Sequence, residues 1–370
     1  MSEDLRSVKE NREPRTKSLM MNFKLLKLTF VFCLVAQGPF VLNVTTDSCS
    51  TQTAIAQPET KQEMKPGANK EAENNRIVFR DDKTGVDVNL DGQLFTRYDY
   101  QTFAKPILFP VHGPNQIEMT RNYPMKRVAG EQPDHPHQKS MWIGHEINGL
   151  DFWTNKSGVI VNKSIQLDQK TGSFTAVNHW NRKSDQERVL KETTVYQFGA
   201  GVSDATQFRW IDATVKFDAV DGDVLFNDTK EGMFALRVHP DLRSKASPKA
   251  GVMEVYGQIA NSAGQTGNAC WGQPAKWVHY FGKIEERQSG IVIFDHPSNV
   301  RHPTRWHARD YGLFAANPFG LHHFAGEKSG AGEYRLKKGQ SLTQRYRVVF
   351  HVGEFSKADI DSLYEEFTVK

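Results

Sequence analysis

Cysteine is scarce in this chain: there are 3 in 370 residues, and Cys33 and Cys49 precede the strand-rich part, which leaves Cys270 alone. A lone thiol builds no internal disulfide framework, so stability has to come from a packed core or from bound ions. Net charge is also small, +4, and no basic run is interleaved with aromatic residues, so the footprint of a nucleic-acid surface is missing. The sequence contains no Walker loop, no G-x-G-x-x-G behind a strand pattern, no H-E-x-x-H and no C-x-x-C. Nucleotide, zinc-protease and dithiol readings thereby lose their usual support. There is no repeat of fixed period, and beyond residue 56 no run is apolar and long enough for a membrane-spanning helix. What is present is an ordinary soluble composition, 24% charged and 38% hydrophobic, with length enough for a substantial core. The partner these features leave is a small or neutral molecule; the polar and aromatic clusters further along the chain narrow this to a small-molecule or oligosaccharide ligand.

The N-terminal residues read as a leader. Lys24 and Lys27 precede an apolar stretch over residues 28–44, and Ala54-Ile55-Ala56 follows. That is the order of a basic region, an apolar region and a small-residue cleavage site, which predicts export to the periplasm or the extracellular space. On this reading translation starts at Met20 or Met21, residues 1–56 are leader, and the mature protein begins after Ala56. The alternative is an uncleaved anchor, because the stretch approaches the ~18 apolar residues a span needs, although Gln37, Gly38 and Pro39 interrupt it. Residues 57–75 are polar without hydrophobic period and read as a flexible linker, ahead of a single domain over 76–370.

From there the chain is a succession of short β-branched and aromatic runs separated by Gly, Asp, Asn and Pro, such as "GVDVNL", "PILFPVH", "FRWIDATVKFDAV" and "QRYRVVFHV". This spacing predicts an all-β fold, a large antiparallel β-sandwich. In "RYRVVFHV", Tyr346, Val348, Phe350 and Val352 share one face; Ile211, Ala213, Val215 and Phe217 do the same in an earlier run. "AVDGDV" (219–224) and "ERQSG" (286–290) read as hairpin turns. A short C-terminal helix is predicted behind Ser356 as N-cap, with Ile360, Leu363, Tyr364 and Phe367 at helical spacing.

Three loop-like clusters mix polar and aromatic residues, the place where sheet proteins usually carry function. The first holds His112, Glu118 and Arg121; the second is "DHPHQKSMWIGHEINGLDFW", with His135, His137 and His145. The third holds Trp306, His307, Arg309, Asp310, Tyr311, Asn317 and Phe319. His137 stands among polar residues and is a candidate for proton transfer, with Glu231 as a candidate base; a solvated turn acid is the other reading of Glu231. Aromatic rings of the third cluster suit the apolar faces of sugars, and its Arg, Asp and Asn suit hydroxyls or carboxylates. The alternative is that Trp306 and Phe319 are core and that Arg309 and Asp310 form a structural ion pair. No cofactor is expected, but His135, His137 and His145 could alternatively hold one divalent metal ion, with Asp134 or Glu146 in support. His135 and His145 as hydrogen-bonded parts of a rigid loop are the competing explanation.

Four ordered motifs, "PILFPVHGPNQIEMTRNYPM", "DHPHQKSMWIGHEINGLDFW", "KEGMFALRV" and "RWHARDYGLFAANPFG", resemble an uncharacterised family of exported bacterial proteins labelled "methane oxygenase PmoA". The resemblance covers roughly residues 85 to 352. It implies a secreted β-sandwich of unknown activity, found alongside sugar oxidoreductases and glycoside-processing enzymes. Methane monooxygenase chemistry is not implied, because the enzyme subunit of that name is a multi-helix membrane protein. Such proteins more often carry "HPHH"; Gln138 stands here in place of the last histidine, and an amide is a poor zinc ligand. More distantly, the chain is similar to the galactose-mutarotase-like supersandwich. That similarity implies a histidine acid and a carboxylate base acting on a sugar ring, roles that His137 or His307 and Glu231 could fill.

Overall fold

The alternation in the strands becomes two buried faces. A computed structural model describes residues 77–203, 206–246 and 255–369, all within the unit Ala68–Lys370; the leader and linker readings lie outside the described residues. Among the described residues the fold is mostly β, with antiparallel sheets of eight, eight and four strands. The first sheet runs Ile77–Asp81, Gly85–Leu90, Gln93–Asp99, Ile107–Val111, Met141–Ile143, Phe234–Arg237, Leu313–Asn317, Arg305–Ala308. The second runs Gln258–Asn261, Trp277–Ile284, Arg287–Asp295, Ser341–Val352, Thr206–Asp218, Arg188–Ser203, Ser173–Arg182, Gly158–Asp168. The four-stranded sheet joins Tyr334–Leu336, Val224–Phe226, Glu146–Ile147 and Leu150–Asp151.

The main core lies between the large sheets, where Val88, Phe95, Leu108, Phe234 and Phe314 of the first meet Ile211, Val215, Phe217, Tyr346, Val348 and Phe350 of the second. The predicted face of "RYRVVFHV" is therefore the inner one. The outer face of this strand is buried too, because Val349 packs with Phe208, Trp277 and Phe294 beneath the helix Lys357–Thr368. That helix carries the expected Ser356 cap, completed as a capping box by Asp359, an arrangement worth about 1 kcal/mol. Ile360, Leu363, Tyr364 and Phe367 supply its buried stripe. The helix covers the outer face of the second sheet.

Both predicted turns are corrected. Glu285 and Glu286, each with positive φ, close the hairpin between Trp277–Ile284 and Arg287–Asp295, and Arg287 to Gly290 are already strand. The register pairs Ile284 with Arg287, and a two-residue loop with both φ positive matches the twist of its strands. "AVDGDV" is not a hairpin at all. It carries the chain from Thr206–Asp218 in the second sheet to Val224–Phe226, which pairs with Tyr334–Leu336 in the small one.

Candidate functional site

Period-two alternation sends half of the first sheet's side chains away from the main core. Ile107 faces Trp142, Trp142 faces Ala235, Ala235 faces Ala315 and Ala315 faces His307, one register row across five strands. Ile107, Trp142, Ala235 and Ala315 form an apolar cluster of their own with Trp153 and Leu313. Its margin is partly exposed Phe103, Phe109, Met125 and Tyr311. The intervening residues Leu108, Met141, Phe234, Phe314 and Trp306 belong to the main core. This outer face, floored by two alanines between Trp142 and His307, is the candidate site.

Two buried arginines hold "DHPHQ" on it. The guanidinium of Arg121 donates to the carbonyls of His135 and Gln138, at 3.1 Å each, and to the Asp134 carboxylate. Arg237, on the strand Phe234–Arg237, donates to Asp134 at 3.1 Å and to the Gln138 side-chain oxygen. Both arginines are almost fully buried, so these bonds satisfy charges that would otherwise be costly. Burial, followed by the nearby Arg121 charge, lowers the Arg237 pKa, and Asp134 opposes the shift.

Fixed in this way, the His135 ring lies flat on Tyr311, and His137 meets His135 edge-on at 5.8 Å. Arg237 and Arg309 lie 4.7 and 5.6 Å from the centre of the same Tyr311 ring. Arg309 is also 6.0 Å from the Trp271 ring, which meets Phe324, which in turn meets His307. A continuous set of ring and cation contacts thus joins the second and third sequence clusters. Burial raises the Tyr311 phenol, Gln138, Arg237 and Arg309 oppose this, and the Glu231 charge adds to it, so Glu231 lies within electrostatic reach. The Glu231 carboxylate pairs with Lys230 at 3.4 Å.

The two candidate histidines are both neutral at pH 7. Burial, and then the charges of Lys105, His135 and Lys139, push His137 down to about 4. His307 is buried, its Nδ1–H donates to the Lys230 carbonyl at 2.9 Å, and burial pushes it down to about 3. With Nδ1 carrying the proton, Nε2 of His307 is a bare acceptor. Lys105 is a buried amine that the sequence did not single out. It donates to the Trp153 carbonyl and lies 5.5 Å from the Trp142 ring centre. Burial, then the neighbouring Lys139 charge, lower its pKa well below that of an ordinary lysine.

Several predicted residues lie elsewhere. His145 is enclosed, packs against Phe226 and Phe319 of the main core, and donates from Nε2 to the Asn227 carbonyl at 2.8 Å. It does not join His135 and His137, so the three-histidine metal set is corrected. Among the described residues no group of three His, Cys, Asp or Glu side chains is arranged to hold a metal ion. Trp306 is core, its indole donating to the Ala275 carbonyl at 2.9 Å; Phe319 stacks on Phe226 at 4.8 Å. Neither offers a sugar platform. Asn317 is fully buried, donating to the Thr229 carbonyl and accepting from the Phe319 N–H.

His112 contacts the Leu94 carbonyl at 3.1 Å, and its own carbonyl accepts from Arg209 of the second sheet. Glu118 accepts from Asn122 at 2.6 Å. Glu118 thus serves the loop around Arg121, while His112 ties the first sheet to Arg209 of the second. Asp310 forms no ion pair with Arg309 among the described residues; its carboxylate accepts from Asn268 at 3.5 Å. Trp271 was missed by sequence reasoning, although a tryptophan beside Gly272 in a polar loop is a legible signal. A cavity of about 780 Å³ opens against the second sheet, lined by His279, Phe281, His351 and Phe355 among others, and includes none of the predicted residues.

No curated protein matches the sequence. One similar solved structure is named "Putative kojibiose phosphorylase from human microbiome". It is 9% identical with a TM-score of 0.31, and the match covers 75% of this chain but 32% of that one. The chain thus spans about a third of that protein's length, and so loose a likeness carries no weight for mechanism. Membership is decided by sequence: the model of DUF6807, a family of unknown function, matches residues 85–365, and the chain belongs to that family.

Proposed function

We propose that this is an exported carbohydrate-active protein whose site is the outer face of the first sheet, centred on Tyr311. The observation that carries the reading is the convergence there of His135, His137, His307, Arg309 and Tyr311, together with Trp271. Partly exposed rings suit the apolar faces of a pyranose, and guanidinium groups suit its oxygens. The imidazoles act here as bases rather than acids. A group with a pKa of about 4 is protonated in roughly one molecule per thousand at pH 7. His137 accepts a proton from the sugar, His307 holds a hydroxyl through Nε2, and Glu231 is the second proton carrier. The class of chemistry is proton abstraction from a sugar, as in a mutarotase-like, lyase or hydrolase reaction. A His137→Ala, Glu231→Gln double variant should lose at least about a hundredfold in rate on a substrate the wild type turns over. A double variant as fast as wild type would remove both roles.

A second reading is a glycan-binding module without catalysis. It is favoured by one feature: among the described residues neither His137 nor His307 is hydrogen-bonded to a carboxylate, so no histidine–carboxylate dyad is formed. Unchanged glycan affinity in His137→Ala, with no turnover of any bound glycan by wild type, would select this reading.

A further inference from the structure

We infer, building on the carbohydrate reading, that the ligand is an acidic sugar whose anionic group is held by Arg309. The argument is a charge inventory of the outer face. The Asp134 carboxylate is taken by Arg121 and Arg237, and Glu231 by Lys230. Asp151 is turned inward on its own loop, accepting from the N–H groups of Trp153 and Thr154.

Asp310 forms no ion pair among the described residues and accepts from Asn268 at 3.5 Å, and the enclosed Lys105 amine is taken up by the Trp153 carbonyl. Arg309 and Lys139 are partly exposed cations without an ion-pair partner among the described residues. Arg309 is half-buried, and among the described residues its side chain enters no ion pair and no hydrogen bond. Lys139 is likewise half-buried, and donates only to the Pro136 carbonyl at 2.7 Å. Burial, then the Arg121 charge, lower the Lys139 pKa, a repulsion that a bound anion would relieve. The whole chain carries a net charge of only +4, so unmatched cations on one aromatic face are a local feature.

Arg309 lies near both Trp271 and Tyr311. A planar fork of donors matches a carboxylate or a sulfate ester bidentately, while the flanking rings match the sugar that bears it. The indole N–H of Trp271 is buried and has no hydrogen-bond partner, leaving one donor unused beside the guanidinium. A uronic acid and a sulfated sugar present the same chemistry to this arrangement.

Binding of the full-length protein to matched polysaccharides tests the inference. One arm compares polygalacturonate with its fully methyl-esterified form, the other compares sulfated with unsulfated galactan, and polyglutamate controls for charge alone. Wild type should bind the acidic member of at least one pair about tenfold more tightly, and Arg309→Gln should abolish that preference. The arm that shows the preference separates uronate from sulfate. Equal binding of acidic and neutral members, or a preference that survives Arg309→Gln, overturns the inference and leaves the carbohydrate reading standing. Failure to bind any glycan, or polyglutamate binding as tightly as the acidic glycan, overturns both.

Discussion

The imidazole of His135 lies on the phenol ring of Tyr311 with centroids 5.2 Å apart and planes within 2° of parallel. One ring comes from the "DHPHQ" loop and the other from the turn before Leu313–Asn317, so the contact ties two distant parts of the sequence into one surface.

Replacing Tyr311 by leucine keeps an apolar side chain but removes the stack and both cation contacts. Affinity for a bound glycan should fall about tenfold, since aromatic pairs contribute roughly 0.5–1.5 kcal/mol and cation–π contacts about as much. Titration calorimetry with wild type and Tyr311→Leu measures this; equal affinities would place the ligand elsewhere.

Asp134 is the counter-charge of two buried guanidinium groups. Asp134→Asn leaves both short of an anion and should destabilise the protein by about 3 kcal/mol. Urea denaturation gives the number, and a loss below about 1 kcal/mol would mean that water replaces the carboxylate.

Depressed histidines make stability depend on pH in a definite direction. His145 and His351 are held at about 4, chiefly by burial, while the unfolded imidazole titrates near 6.5. Between these values the unfolded chain binds more protons, so the contribution is fully present above about 6.5 and is lost as pH falls toward 4. His145 alone accounts for about 3 kcal/mol of that loss. Denaturation midpoints at pH 7, 5.5 and 4.5 should decrease steadily. A flat profile, or midpoints that rise on acidification, would contradict the burial of these rings.

Gly290 lies beneath the His279–His351 pair, whose Nε2 atoms are 2.9 Å apart. A Cβ there would come within 2.3 Å of His351 Nε2, 2.6 Å of His279 Nε2 and 2.8 Å of the Tyr280 carbonyl. The last is backbone and cannot swing away, so Gly290→Ala should cost about 2 kcal/mol or more. Thermal denaturation decides, and a melting temperature equal to wild type would show that this part of the sheet yields freely.

The strands and the C-terminal helix were legible because they rest on local patterns. Ile360, Leu363, Tyr364 and Phe367 recur at helical spacing behind a Ser356 cap, and they form the buried stripe. The turns were less so: Glu285 and Glu286 carry no glycine signal, yet both adopt positive φ because the register of two long strands demands it. In the third cluster, mixed composition hid a simple parity. Trp306 and His307 are adjacent, and alternation sends the first into the core and the second to the outer face. Which face was which could not be read from a strand covered on both sides.

The sequence by itself determined the antiparallel strand pattern, the capped helix and the loops in which polar and aromatic residues gather. Tertiary structure alone decided that Arg121 and Arg237 meet at Asp134, that His145 and Trp306 turn into the core, and that Lys105 is buried near the Trp142 ring. Periodicity is encoded within a few residues of chain. Cross-strand register, and with it the desolvation and charge pairing of each side chain, is fixed only when strands far apart in sequence are brought together.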